Sequence, residues 1–152
     1  MPEDKQRLSR EGLLAALDAG WGRLLFTLAQ WPDEKQELYA RQQGYPRVQD
    51  LLAHVCAWWE ETLVVVPRIW YHHAPDYDYD IDLFNARAVT RFQPWTRAQV
   101  EAHFEKLRHA LAELIRNLPA EAFNDDRIYA WLLNATVEHY EEHQPPRGPR
   151  LR

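Results

Sequence analysis

Seven histidines and a single cysteine bound the chemistry open to this chain of 152 residues. His139 and His143 are four apart. On a helix that spacing places both rings on one face, with Cβ atoms ~6 Å apart, within reach of one metal ion. With seven histidines, a chance pair at this spacing is expected in roughly one shuffled sequence in four, so spacing alone makes no motif. Direction adds to it. Projected at ~100° per residue, Ile128, Leu132, Ala135, His139 and His143 fall in a narrow arc, so the two histidines extend an apolar stripe and point inward. A third ligand has to come from another helix. His54 suits that role, at the edge of an apolar face beside Leu51 and Trp58. His72 and His73 follow Pro67 near a helix end, while His103 and His109 lie off the stripe of their own helix and read as solvated. Three imidazoles leave coordination positions open for water or substrate, as in a catalytic rather than a closed structural site.

The remaining reactive types are weaker candidates. Glu61 lies two helical turns beyond His54, ~10 Å along the axis, and is a candidate general base that would have to act across a cleft. Asp50, four residues before His54, has two roles open to it: orienting the His54 ring, or complementing the positive end of its helix. The second is favoured. Trp58 and Trp131 lie one or two turns from the candidate ligands and can wall a pocket, although bulk packing is the ordinary role of the tryptophans. Cys56 reads as a buried, inert thiol, because no base or positive charge accompanies it in the sequence. Asp76, Asp78 and Asp80 imitate the start of a calcium loop. The pattern then needs Gly at 81 and Glu at 87, where the chain has Ile81 and Arg87, so 74–82 reads as an exposed acidic loop.

Four long segments must position these residues. The first carries Leu14, Leu17, Trp21, Leu24, Leu28 and Trp31 on one stripe, with Ser9 as N-cap and Pro32 as terminator. Residues 33–47 are polar and read as a connection. The second helix starts near Val48 and presents Leu51, Val55, Trp58, Thr62 and Val66, with a kink or an end expected at Pro67. A short helix over 83–92 follows the acidic loop. Thr96 and Gln99 form a capping box for the third helix, which repeats Val100, Phe104, Leu107, Leu111, Leu114 and Leu118 up to Pro119. The fourth runs from about Asp126 to His143 after a turn at 123–125. Residues 144–152 read as a flexible tail to a single domain over 1–143. The expected fold is all-α, an antiparallel up-down four-helix bundle with a long connection between helices 2 and 3, in preference to a coiled-coil dimer.

The phrase Asp50-Leu51-Leu52-Ala53-His54 on the second helix, with His139-Tyr140-Glu141-Glu142-His143 on the fourth, resembles the DinB/YfiT-like four-helix bundles. The resemblance spans about Ser9 to His143. It implies that His54, His139 and His143 bind a divalent metal, zinc or nickel, and that the chain forms homodimers. Closer likeness is to the ClbS/DfsB branch, through Asp50-Leu51-Leu52-Ala53-His54-Val55-Cys56-Ala57-Trp58, through Asn85 in Leu83-Phe84-Asn85 and through His139-Tyr140. That branch includes a self-resistance protein that opens the cyclopropane of a genotoxin, and it does not normally keep the last histidine. Here His143 is present, a departure toward the metal-binding pattern. The wider superfamily implies hydrolysis or thiol transfer on a reactive small molecule, with a low-molecular-weight thiol such as bacillithiol or mycothiol as co-substrate.

Composition narrows the partners. A net charge of −5 disfavours unaided nucleic-acid binding, which needs clustered Lys and Arg. The start Met1-Pro2-Glu3-Asp4-Lys5-Gln6-Arg7 has no apolar core of a signal peptide, and the longest purely apolar run, 63–67, is far short of a membrane span. The expected protein is cytoplasmic, with a small-molecule substrate. The competing expectations are a metal-free resistance or ligand-binding protein, and a structural interaction bundle whose histidines would be exposed.

Overall fold

The computed structural model describes residues 6–146, and no strand occurs among them, so the protein is all-α. Ser9 caps α1 (Arg10–Ala19) by accepting from the Gly12 N–H at 3.1 Å. The first apolar stripe is divided between two helices rather than one, because the backbone leaves the helical region at Gly20 (φ −95°, ψ −88°) before α2 (Trp21–Ala29). Leu13, Leu17, Trp21, Leu24 and Leu28 form the buried line, and Leu14 sits half-buried beside it. Gly20 lies under Tyr140: a Cβ there would come within 2.7 Å of the Tyr140 ring. Gly20→Ala is therefore expected to lower stability by about 1–3 kcal/mol, read from thermal melts, because the ring beside His139 must move. A variant with an unchanged melting temperature would show that the ring has room to yield.

Residues 33–47 are not only a connection. α3 (Asp33–Gln42) starts after Pro32, with Asp33 and Glu34 in its first turn and Arg41 in its last, which complements the helix dipole. It buries Gln36, Tyr39 and Ala40, a face too narrow for apolar periodicity to reveal. Gly44 takes φ +92°, a left-handed conformation that glycine adopts without a steric cost, and turns the chain toward the next helix.

α4 (Val48–His72) runs through Pro67 instead of ending there. Val66 and Ile69 on either side of Pro67 are buried, so packing outweighs the roughly 3 kcal/mol that an interior proline costs. After the irregular stretch 73–80, Asp80 caps α5 (Ile81–Phe92) through the Leu83 N–H. The Thr96–Gln99 capping box is formed in both directions at the start of α6 (Arg97–Asn117). A 3₁₀ turn (Ala120–Asn124) leads to Asp125, which caps α7 (Asp126–Leu133). The expected continuous fourth helix is interrupted by a π-helical segment (Asn134–Glu138) before α8 (His139–His143).

The long α4 packs against α3, α5, α6 and α7, and α1 packs against α2, α6 and the π-helical segment. Trp21 meets Trp59 edge-on at 5.7 Å, and Phe104 packs on Trp59 at 4.8 Å, so aromatic rings from α2, α4 and α6 fill the centre. Among the described residues, one stretch, Arg10–Ala29, is long and apolar enough to cross a membrane by length and composition alone. Its apolar line is buried against the other helices, and 33% of the apolar window is buried in all. Of the expected tail, Gln144 to Pro146 are described, with Pro145 buried. Residues 147–152, and Met1 to Lys5 of the expected non-signal start, lie outside the described residues.

Candidate metal centre

α4 delivers His54, and α8 delivers His139 and His143; each is only 5% exposed. Their ligand nitrogens all lie within 4.8 Å of one another. His54 and His139 approach most closely, Nε2 to Nε2 at 2.8 Å, and their ring centroids are 4.7 Å apart. His143 completes the cluster, with ring centroids 5.2 Å from His54 and 4.8 Å from His139.

The orientation of His54 follows from donor chemistry. The Trp58 indole N–H can only donate, and it donates to Asn85 Oδ1 at 2.8 Å. That bond fixes which end of the amide is oxygen. The same oxygen lies 3.0 Å from His54 Nδ1, so Nδ1 carries the proton and donates. A neutral His54 then has its lone pair on Nε2, facing His139 and His143. Gln43 Oε1 lies 3.0 Å from His143 Nδ1 and imposes the same tautomer when its oxygen accepts there. The His143 Nε2 atom is left buried with no hydrogen-bond partner; the Glu142 carboxylate stands 4.0 Å away, beyond hydrogen-bond range. Tyr39 donates its hydroxyl to the His143 carbonyl, and Tyr45 packs on the His54 ring at 5.1 Å.

The π-helical segment places His139. The His139 N–H reaches the Asn134 carbonyl, five residues back. Its acceptor in a regular helix, the Ala135 carbonyl, receives the Trp59 indole N–H at 3.2 Å. Core packing thus holds the register from which both histidines project, and π-bulges often mark functional sites for this reason.

Burial favours the neutral form of all three imidazoles. His54 is pushed down to about 4, by desolvation first and by the neighbouring His143 second, against the hydrogen bond to Asn85. His139 is lowered further by desolvation and then by His54 and His143. His143 is also lowered by burial, with Glu142 opposing. Neutral imidazole is the metal-binding form. Nitrogens sharing a tetrahedral zinc at bonds of ~2.0–2.1 Å sit about 3.3 Å apart. That spacing falls between the 2.8 Å closest approach and the 4.8 Å outer limit of this cluster, so the donor set fits.

A cleft of about 460 Å³ opens onto His54 and His139 and is walled by Trp58, Tyr79, Asn85 and Trp131. Trp58, Asn85 and Trp131 are among the residues that line it. Glu61 does not line it. Glu61 lies in a neighbouring cleft and hydrogen-bonds to Tyr79. Asp50 faces Arg47 through two bonds of 2.8 and 2.9 Å rather than His54, and the orienting role falls to Asn85. His103 is not solvated: its side chain is 19% exposed, bonded to Glu60 and packed on Trp95. His72, His73 and His109 are exposed. Cys56 is buried, and desolvation pushes its thiol up to about 12, so it is inert at neutral pH.

Gln43 and Tyr45 lie in the polar stretch 33–47, where no apolar periodicity marks them in the sequence as neighbours of the triad. Tyr79 was hidden in the acidic loop, yet it is half-buried against Trp58 at 5.4 Å. Glu142 lines the cleft from the same turn as His143. No family model matches the chain, and neither a curated protein nor a solved structure matches it.

Proposed function

We propose that this protein is a divalent-metal-dependent enzyme of the DinB/YfiT-like kind, built as an antiparallel up-down four-helix bundle. Zinc or nickel is the proposed metal, and a reactive or toxic small molecule the proposed substrate, processed by hydrolysis or by transfer to a low-molecular-weight thiol. The observation that carries this reading is the triad: three buried, neutral imidazoles converge, and one Nε2 among them has no protein partner. His54, His139 and His143 would hold the ion, with Asn85 and Gln43 fixing two of the rings. When bound, such a metal supplies Lewis acidity, polarising a substrate atom or acidifying water. The chain's own part is to set His54 and His139 at the edge of the cleft, where Trp58, Tyr79 and Trp131 exclude water from an apolar substrate. Glu142, at the same cleft, is better placed than Glu61 to exchange a proton there. With Cys56 buried, a thiol has to arrive with the co-substrate. A cytoplasmic setting and a homodimer belong to the same proposal.

A second reading is a metal-free resistance or ligand-binding protein of the ClbS/DfsB kind. It is favoured by one observation, the 2.8 Å Nε2–Nε2 contact, which a proton on His139 can bridge without any ion. Metal analysis separates the two. Untagged protein purified without chelator is expected to retain about one zinc or nickel per chain, and chelation to lower its melting temperature by mass action. Absence of metal, with no response of the melting temperature to added zinc or nickel, would leave the metal-free reading.

A further inference from the structure

A second, larger cleft of about 760 Å³ lies between α4 and α5, beneath the irregular stretch 73–80. Tyr79 and Trp131 line both clefts and form their shared wall. α4 contributes Ala57, Glu61, Val65 and Arg68 at successive steps of three or four, which places them on one helix face. α5 faces them with Phe84, Arg87, Ala88 and Arg91. The volume is that of a site for a drug-sized molecule, more than the reacting end of a small substrate requires.

The charges in this cleft are unequally engaged. Glu61 holds the Tyr79 hydroxyl, Asp80 caps α5, and Asp76 pairs with Arg127 at 3.3 Å. Arg91 is tied to Glu60 at 2.6 Å. The guanidinium groups of Arg68 and Arg87 have no ion-pair or hydrogen-bond partner among the described residues, although both line the cleft. Guanidinium forks in a cleft that Phe84, Tyr79 and Trp131 also line suit a planar carboxylate in particular, because they can donate two parallel hydrogen bonds to it while its ring system stacks.

Taking the histidine cleft as the reacting end, as proposed above, we propose that the larger cleft is the substrate-recognition subsite. Its ligand is an aromatic or flat apolar molecule carrying a carboxylate, held by Arg68 and Arg87 with its body against Phe84, Tyr79 and Trp131. The molecule extends across the Tyr79–Trp131 wall toward His54 and His139. Selection of substrate thus lies on α4 and α5, apart from the metal ligands on α4 and α8.

The test is calorimetric titration with 2-naphthoate and with its neutral isostere 2-naphthamide. Naphthoate is expected to bind roughly tenfold more tightly than the amide, the scale of a charge-assisted bond. In the R68Q/R87Q double variant that preference is expected to vanish while amide binding stays. Both substitutions are at exposed positions, so folding is not at stake. Chelator is expected to leave naphthoate binding unchanged, since the subsite does not use the ion. Equal binding of the two probes, no binding of either, or a preference that survives in the double variant overturns the subsite. Loss of naphthoate binding on chelation overturns it too, by placing the carboxylate on the metal, and leaves the metal reading standing. Binding that persists in protein found to contain no metal does the reverse.

Discussion

Alanine in place of His139 is expected to abolish metal retention, and Asn85→Leu to weaken it by about 10- to 100-fold. The first removes a donor from a cluster of three whose nitrogens lie within 4.8 Å. The second leaves all three donors in place. It takes away the oxygen that accepts from His54 Nδ1 at 3.0 Å and from Trp58 Nε1 at 2.8 Å. His54 is then free to adopt the other tautomer, with its proton on Nε2, and that tautomer cannot bind an ion through Nε2. Asn85→Asp keeps oxygens at the same place and is expected to restore affinity, where a merely steric role for Asn85 would not distinguish the two variants. Imidazole nitrogen shifts in the NMR spectrum of the chelated protein check the cause directly: His54 should read as the Nδ1–H tautomer, and lose that preference only in Asn85→Leu. Equal metal affinity in the leucine and aspartate variants would sink the positioning role. Circular dichroism of each variant separates loss of the ion from loss of the fold.

The part of this site legible in the sequence is the part with helical spacing. His139 and His143 continue a stripe begun by Ile128 and Leu132, and burial of all four follows the projection. His54 was readable from its place beside Leu51 on the α4 face, and the Thr96 capping box from two residue types three apart. What the spacing could not supply was contact between elements. Asn85 meets His54 across 31 residues of chain, and Gln43 meets His143 across 100, so neither bond leaves a local trace. The α3 helix was missed for a different reason: its composition is polar, and only Gln36, Tyr39 and Ala40 turn inward. The break at Gly20 and the π-helical segment at Asn134–Glu138 were invisible because a 3.6-residue projection tolerates one irregular turn without losing the stripe. Of the two outcomes expected at Pro67, a kink or an end, the end does not occur. A local breaker was overridden by tertiary packing along α4.

Metal-stripped protein is expected to lose stability steadily as pH falls from about 6.5 to about 4. The sign follows from proton binding. His54 has its ordinary value of 6.5 in the unfolded chain and is pushed down to about 4 in the folded protein, chiefly by desolvation. His139 and His143 are lowered by the same cause. Between those values the unfolded state takes up protons that the folded state refuses, so the equilibrium moves toward unfolding. Above 6.5 both states hold neutral imidazoles, and the triad costs nothing in proton linkage. Below about 4 the folded His54 also titrates, and its contribution levels off. For His54 alone the loss across the window is roughly 3 kcal/mol, a large fraction of a typical domain's stability. Denaturant midpoints of chelated protein measured from pH 7 to pH 4 check this, and a flat profile would mean that the three rings reach water in the folded state. His54→Asn, which cannot titrate here, should flatten part of the slope. The loaded protein adds a second dependence of the same sign, because protons compete with the ion for the same nitrogens. Metal should then be released over the acid side of this window, and the metal-dependent rise in melting temperature should disappear with it.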